Sequence, residues 1–123
     1  MKIVISASSQ SLDAELDPRF GRCPFFIITD TETGQFSVEA NAGLDASGGA
    51  GIAAAQQVAV MAPDAVLTGH CGPNAFTVLD KANIKVYTNV TGTVSEAIQK
   101  CVDGSLRAAT ASNATPHSGM GQN

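Results

Sequence analysis

A histidine and a cysteine stand next to each other in TGHCGPNA, a stretch with two glycines and a proline at residues 68–75. Copper, zinc and iron–sulfur species prefer nitrogen and sulfur donors, whereas magnesium does not. Pro73 suits the first turn of a helix, and a thiol at a helix N-terminus is expected to have a lowered pKa. His70 and Cys71 are therefore candidate metal ligands, although the same stretch also suits a plain strand-to-helix turn.

Three further loops have compositions that suit an anion. Arg19 and Arg22 lie in DPRFGR, NAGLDASGGAG occupies 41–51, and NVTGT occupies 89–93. Glycine-lined backbone offers N–H donors, and the two guanidinium groups add positive charge. A Walker-type phosphate loop is excluded because GGAGIAAAQ contains no lysine, and the dinucleotide pattern GxGxxG is not met. The loops therefore indicate an anion site of another kind.

The composition excludes several classes of function. The chain has 123 residues, a formal net charge of −4 and only seven lysines and arginines, so it lacks the basic face that nucleic-acid binding needs. No apolar run approaches the roughly 20 residues of a membrane span. The start, MKIVISASSQ, lacks the features of a secretory signal, so we expect a cytoplasmic protein. Cys23, Cys71 and Cys101 have no CxxC spacing and predict neither a disulfide framework nor a zinc knuckle.

Hydrophobic periodicity predicts one α/β domain over residues 1–107. The predicted strands cover residues 2–6, 23–30, 35–40, 65–69 and 84–88. The predicted helices cover residues 50–62, 73–82 and 93–102. Gly34 favours a hairpin turn, and Thr93 with Glu96 predicts a capping box. The small polar residues of 108–123, which include His117 and Met120, predict a disordered tail.

The order of these elements predicts a three-layer domain. A hairpin followed by alternating helices and strands with right-handed crossovers gives a five-stranded mixed sheet of order 3-2-1-4-5, with strand 2 antiparallel and helices on both faces. This is the ribonuclease-H-like arrangement. The four loops and three helix N-termini then meet at one edge of the sheet, where α/β proteins bind ligands. A two-metal nuclease is excluded because KIVIS and AVLTG carry no acidic residue.

The predicted site is an anion pocket built from residues 19–22, 48–52, 68–74 and 90–93. The residues that we predict to line it are Arg19, Phe20, Gly21, Arg22, Gly48, Gly49, Gly51, Thr68, Gly69, His70, Gly72, Pro73, Asn74, Val90, Thr91 and Gly92, with Cys71 and His70 as candidate metal ligands. No spacing resembles a catalytic dyad or a serine–histidine–acid triad.

Four motifs resemble one known family. DPRFGRCPFF, GGAGIAAAQ, VLTGHCGPNAFTVL and IKVYTNVTGTVSEAI resemble, in this order and spacing, the dinitrogenase iron–molybdenum cofactor biosynthesis family over about residues 1–107. The resemblance implies a ribonuclease-H-like fold and the non-enzymatic binding of an anionic metal–sulfur cluster or its precursor. Small stand-alone members hold a molybdenum–copper sulfide cluster largely without covalent protein ligands. Nitrogenase cofactor carriers often add a histidine or cysteine, which His70 and Cys71 would supply here.

Several alternatives remain open from the sequence. The cargo is a molybdenum–copper sulfide cluster or, alternatively, an iron–sulfur species or an iron–molybdenum cofactor precursor. The alternatives to a cluster-binding protein are a partner-docking or regulatory module with no bound cluster, and a sensor of a small anion or nucleotide. We expect a monomer or weak dimer, with other proteins of a cytoplasmic complex as candidate partners and with no nucleic-acid or membrane partner.

Overall fold

Five strands and three α-helices make up residues 1–113, the part of the chain that this computed structural model describes. The strands are β1 (Lys2–Ala7), β2 (Phe25–Asp30), β3 (Phe36–Ala40), β4 (Ala65–Leu67) and β5 (Lys85–Tyr87). The helices are α1 (Ala50–Met61), α2 (Pro73–Lys81) and α3 (Val94–Val102), and a short 3₁₀ turn covers Phe20–Arg22. None of the helices in residues 1–113 is long and apolar enough to cross a membrane.

The sheet has the order β3-β2-β1-β4-β5, as predicted. β2 is antiparallel to both β1 and β3, whereas β4 is parallel to β1 and β5. β1, β3, β4 and β5 therefore all end at one edge of the sheet, where β2 begins, and we call this the loop edge. The predicted ribonuclease-H-like fold is confirmed, and the switch between β1 and β4 lies at the loop edge.

Alternating side chains of the strands build a core on each face of the sheet. On one face, Val4 and Phe26 pack against α1 and α2 through residues such as Ala55 and Leu79. On the other face, Ile3, Ile5 and Ile27 of the same strands pack against Val94 and Ala97 of α3. The small side chains of α1 let this helix lie close to α2 and to the 3₁₀ turn at the loop edge.

The turn between β2 and β3 and the start of α3 have the local structures that the sequence predicts. Gly34 has a φ of 76° in the turn between β2 and β3, a left-handed conformation that glycine adopts at little cost. At the start of α3, the Glu96 N–H donates to Thr93 Oγ1 at 3.1 Å, and the Thr93 N–H donates to Glu96 Oε1 at 2.8 Å. The predicted hairpin and capping box are both confirmed.

The first residues of the predicted tail contact the folded domain. Ala108 forms an antiparallel bridge with Tyr87 of β5, and the Ala109 N–H donates to the Val86 carbonyl at 2.7 Å. Asn113 hydrogen-bonds to Cys71. The contacts of the domain thus continue beyond residue 107, because main-chain pairing needs no hydrophobic periodicity. The remainder of the predicted tail, with His117 and Met120, lies outside the described residues.

Candidate functional site

The N-termini of α1 and α2 lie side by side at the loop edge. A β-carbon built on Gly51, in the first turn of α1, would lie 3.5 Å from the β-carbon of Ala75, in the first turn of α2. Gly49 and Gly72 are the N-caps of these helices, neither of which has a side-chain cap or an acidic residue in its first turn. Two groups of first-turn N–H donors, which have no side-chain cap within residues 1–113 and lie at the positive ends of helix dipoles, are therefore close together.

The N-terminus of α3 differs from these two. It lies on the opposite face of the sheet, where Val94 and Ala97 join the core. The capping box and the carbonyls of Leu12 and Ala14 satisfy its N–H groups, and the carboxylate of Glu96 places a negative charge there. Of the three helix N-termini that the sequence brings to the loop edge, only those of α1 and α2 therefore remain suited to an anion.

Three of the predicted glycines border on open space in front of the two uncapped helices. A β-carbon at Gly48, Gly49 or Gly72 would have no atom of the described residues within 4 Å. Gly49 also has a φ of 71°, which favours glycine. The absence of side chains at these positions leaves the first-turn N–H groups accessible to a ligand.

Two other predicted glycines allow the backbone to pack closely. A β-carbon on Gly21 would lie 2.9 Å from the Cα of Gly51, and one on Gly69 would lie 2.7 Å from the Cα of Pro18. Real β-carbons do not approach backbone this closely. Gly21 and Gly69 therefore hold the loops against each other and position the site, rather than facing a ligand with their own Cα atoms.

The two predicted arginines differ in how far their charge is balanced. Arg22 is exposed, and its Nη1 donates to the carbonyls of Leu44 at 2.9 Å and Ala46 at 3.0 Å, in the loop before α1. Arg19 donates from Nε and Nη2 to the carboxylate of Asp17, at 3.2 and 3.1 Å. The hydrogen bond and the charge of Asp17 raise the pKa of Arg19. Asp17 therefore neutralises Arg19, whereas Arg22 keeps its charge at the loop edge.

Replacing Arg19 by alanine is expected to destabilise the fold, because Asp17 is only 4% exposed and would lose its cationic partner. The free energy of unfolding in urea should fall by roughly 1–2 kcal/mol, since solvent screens part of this half-exposed pair. Arg22→Ala is the matched control: it removes the same charge without leaving a buried carboxylate, and its effect should stay within about 0.5 kcal/mol. Equal losses for the two variants would contradict this role of Arg19.

Cys71 is buried beneath α2 and does not face the loop edge. Its side chain is 0% exposed, lies in the core between the sheet and α1 and α2, and burial raises the pKa of its thiol to about 12. The expectation of a lowered pKa is therefore wrong, because desolvation outweighs the helix N-terminus. His70 is exposed, and its backbone is held by Pro18 and Phe20 at 2.6 and 3.2 Å. Of the two candidate metal ligands, only His70 is accessible.

The buried thiols predict a loss of stability in alkali. Burial, with a smaller effect of the Asp17 charge, also raises the pKa of Cys23 to about 12, well above the usual value of about 8.5. The folded state therefore keeps protons that the unfolded chain releases, so the stabilisation is complete below about pH 8.5 and is lost as the pH rises toward 12. We expect the free energy of unfolding to fall by up to about 1.4 kcal/mol per pH unit for each thiol.

This alkaline loss is measured by urea unfolding under reducing conditions at several pH values. Cys71→Ala removes one of the two thiols and should make the slope shallower. A slope equal to that of the wild type would contradict the assignment to Cys71.

The side chains of three predicted lining residues point into the protein. Phe20 is 1% exposed, and its ring centroid lies 5.5 Å from that of Phe26. Thr68 is fully buried, with its Oγ1 2.8 Å from Ser6 Oγ. Val90 is 2% exposed in the core beneath α3. These residues can offer only backbone groups to a ligand, and their side chains serve to position the loops.

The remaining predicted residues lie at two places along the loop edge. Pro73 and Asn74 form the first turn of α2, where Asn74 is exposed. Thr91 is also exposed, but with Gly92 it belongs to the loop that precedes α3. The structure thus brings the 19–22, 48–52 and 68–74 segments together around α1 and α2, whereas 90–93 leads to the opposite face.

Two asparagines that sequence analysis did not single out tie these loops together. Asn41 is 5% exposed; its Nδ2 donates to the carbonyls of Gly21 at 3.1 Å and Cys23 at 2.9 Å, and its Oδ1 accepts from the Gly43 N–H at 2.9 Å. The spacing of an asparagine and a glycine two residues later is an Asx-turn signal that could have identified Asn41. The second is Asn113, for which the sequence offers no comparable signal.

A shallow depression lies at the opposite end of the sheet from these loops. Its lining consists of Lys2, Ile28, Thr29, Asp30, Gln35, Phe36 and Ser37, and includes no predicted site residue. Its lysine and aspartate are opposite each other on β1 and β2, so their charges offset one another. This depression therefore does not suit an anion, which needs unpaired N–H donors and positive charge.

The fold and this geometry define a ribonuclease-H-like α/β domain whose loop edge presents two uncapped helix N-termini. The chain belongs to the dinitrogenase iron–molybdenum cofactor family, whose model matches residues 1–104. The predicted family resemblance is confirmed.

Two solved structures and one further relative are similar to this chain. The apo form of the orange protein from Desulfovibrio gigas has 39% identity, covers 91% of this chain and 95% of its own, and superposes with a TM-score of 0.88. A Thermotoga protein of the DUF35 family, solved by NMR, has 33% identity, coverages of 87% and 91%, and a TM-score of 0.75. An uncharacterized protein of Methanocaldococcus jannaschii is 31% identical over 94 residues, which are 74% of this chain and 80% of that protein. The match to the orange protein extends over more than nine-tenths of both chains, so the two are similar in length.

Proposed function

We propose that this protein binds and carries an anionic metal–sulfur cluster at the loop edge and does not catalyse a reaction. The observation that carries the proposal is the pair of adjacent, uncapped N-termini of α1 and α2, with open space at Gly49 and Gly72. An anion at one helix N-terminus is stabilised by about 0.3–1 kcal/mol, and by up to about 2 kcal/mol when partly buried. Two such termini and the guanidinium of Arg22 act on the same ligand.

We propose a molybdenum–copper sulfide cluster as the cargo, held mainly by N–H donors and charge. A sulfide-rich cluster brings its own metal ligands, so it does not require a set of protein thiolates. Residues 1–113 contain no group of three histidine, cysteine or acidic side chains that could hold a metal ion. The family assignment and the likeness to the orange protein support a metal–sulfur cargo, and an iron–sulfur or iron–molybdenum cofactor precursor would use the same site.

The proposed contacts follow from exposure. Gly48, Gly49 and Gly72 offer backbone N–H groups beside open space, and Asn74 is exposed in the first turn of α2. Arg22 and His70 are exposed side chains of the same group of loops. The thiol of Cys71 is buried, so we assign Cys71 to the hydrophobic core and not to the ligands of the cluster. Cys23, Cys71 and Cys101 are free thiols, the state that a reducing compartment maintains, and we therefore propose that the carrier acts in the cytoplasm.

The proposal is tested by visible absorption. The apo-protein is mixed with tetrathiomolybdate and copper(I) and then desalted; a parallel sample contains urea-unfolded protein. We expect the folded protein alone to retain colour, with a fixed ratio of molybdenum and copper to protein. Colour that separates entirely from the folded protein would overturn the proposal and would direct the search to protein partners.

A further inference from the structure

Asn113 lies at the loop edge, beyond residue 104, the last one that the family model matches. Its Oδ1 accepts from the Cys71 N–H at 2.8 Å, and its Nδ2 donates to the Gly69 carbonyl at 2.9 Å. Its own backbone N–H donates to the Cys71 carbonyl at 3.2 Å. The N–H and the carbonyl of Cys71 are thus both held by a single residue 42 positions further along the chain.

These bonds act on the loop that leads into α2. Cys71 directly precedes Gly72, the N-cap of α2, which has no side-chain cap of its own. Gly69 is held from two sides, because its carbonyl also accepts from the Asn89 N–H at 2.8 Å. With the Gly69 carbonyl and both backbone polar groups of Cys71 fixed, the direction in which the first turn of α2 begins is fixed as well.

A carboxamide is the side chain that this arrangement requires. It must accept from one backbone N–H and donate to a carbonyl two residues away, and an amide has both groups in one plane. A carboxylate can only accept, and an alanine can do neither. The chain reaches this position along β5, where Ala108 bridges to Tyr87 and Ala109 donates to Val86.

We propose that Asn113 is a positioning residue of the candidate site, which holds the 69–72 loop so that the α2 N-terminus receives the anionic ligand. The inference rests on the proposed function and extends the site beyond the residues of the family match. Asn113 itself is exposed, so its replacement does not disturb either core.

The test uses full-length Asn113→Ala and Asn113→Asp, with Thr110→Ala, an exposed residue of the same segment, as control. Tetrathiomolybdate with copper(I) is titrated into each apo-protein and followed by visible absorption, and amide exchange at Cys71 is followed by NMR. For Asn113→Ala we expect about five- to tenfold weaker binding and faster Cys71 exchange, because the side-chain hydrogen bonds to Cys71, Gly69 and Asn89 are lost, with a nearly unchanged urea midpoint. Asn113→Asp should bind more weakly still, because its carboxylate cannot donate to Gly69 and repels the anion.

The outcomes separate this inference from the proposed function. A coloured wild type that binds no more tightly than Asn113→Ala overturns the role of Asn113 and leaves the carrier function standing. The role of Asn113 is also overturned if Asn113→Ala binds more weakly and has a lower urea midpoint but shows no faster amide exchange at Cys71. Equally weakened binding in Thr110→Ala would overturn it as well. A wild type that retains no colour overturns the carrier function and this inference together.

Discussion

Gly72→Asp is expected to weaken binding of the anionic cluster by about 10- to 100-fold while the protein stays folded. Gly72 has φ −71° and ψ 168°, which any residue adopts, and a β-carbon there meets no atom of the described residues within 4 Å. An aspartate at this N-cap would accept the hydrogen bonds of the first turn of α2. It would therefore occupy the donors that we assign to the ligand and would repel the ligand by its charge.

The same reasoning predicts no loss of stability for Gly72→Asp. Aspartate is a better N-cap than glycine by a few tenths of a kcal/mol, so the free energy of unfolding should stay equal or rise by about that amount. Ser95→Asp is the matched control, since it adds the same charge to the exposed first turn of α3 on the opposite face. Cluster binding is measured by visible titration, and stability by urea unfolding, for both variants. Equal cluster binding by the two variants would contradict a ligand site at the N-terminus of α2.

The largest loss of stability is expected from Gly69→Ala. The added β-carbon would lie 2.7 Å from both Cα and Cβ of Pro18 and 2.9 Å from its carbonyl oxygen. These atoms cannot retreat easily, because the His70 N–H is bonded to the same carbonyl at 2.6 Å and Arg19 bridges to His70. Overpacking of this kind costs about 1–3 kcal/mol or more, and here it would separate the loops after β1 and β4.

Gly72→Ala provides the comparison for that prediction, because it makes the same chemical change only three positions further on, beside open space. Its free energy of unfolding should change by less than about 0.5 kcal/mol. Urea unfolding of the two variants side by side gives the answer. Equal stability of the two variants would show that the contact of Gly69 with Pro18 is not tight.

The sequence predicts most of the fold because the decisive signals are local. Gly34 in its turn and Thr93 with Glu96 act within a few residues, and the sheet order then follows from the handedness of the crossovers. The turn and the capping box depend on residues that are close together in the chain, and the sheet order depends on the order of the elements, so their outcome could be stated before any tertiary contact was known.

The details of the candidate site depend on contacts between distant segments and could not be predicted in the same way. The roles of Gly21 and Gly72 differ only because Gly51 approaches the first and nothing in the described residues approaches the second. Cys71 is buried because its side chain turns beneath α2, which its position before Pro73 does not reveal. The pairing of Arg19 with Asp17, in contrast, connects residues two positions apart and could have been anticipated.

The uncapped ends of α1 and α2 have a consequence for the proposed carrier in its empty state. In the absence of a ligand, their first turns have no side-chain cap within residues 1–113 and should fray more readily than the first turn of α3, which carries its own cap. A bound anion completes those turns from outside the chain. Binding of the ligand and folding of these first turns are then coupled. A protease or a partner protein that recognises frayed helix ends could therefore distinguish the protein without its ligand from the protein with it.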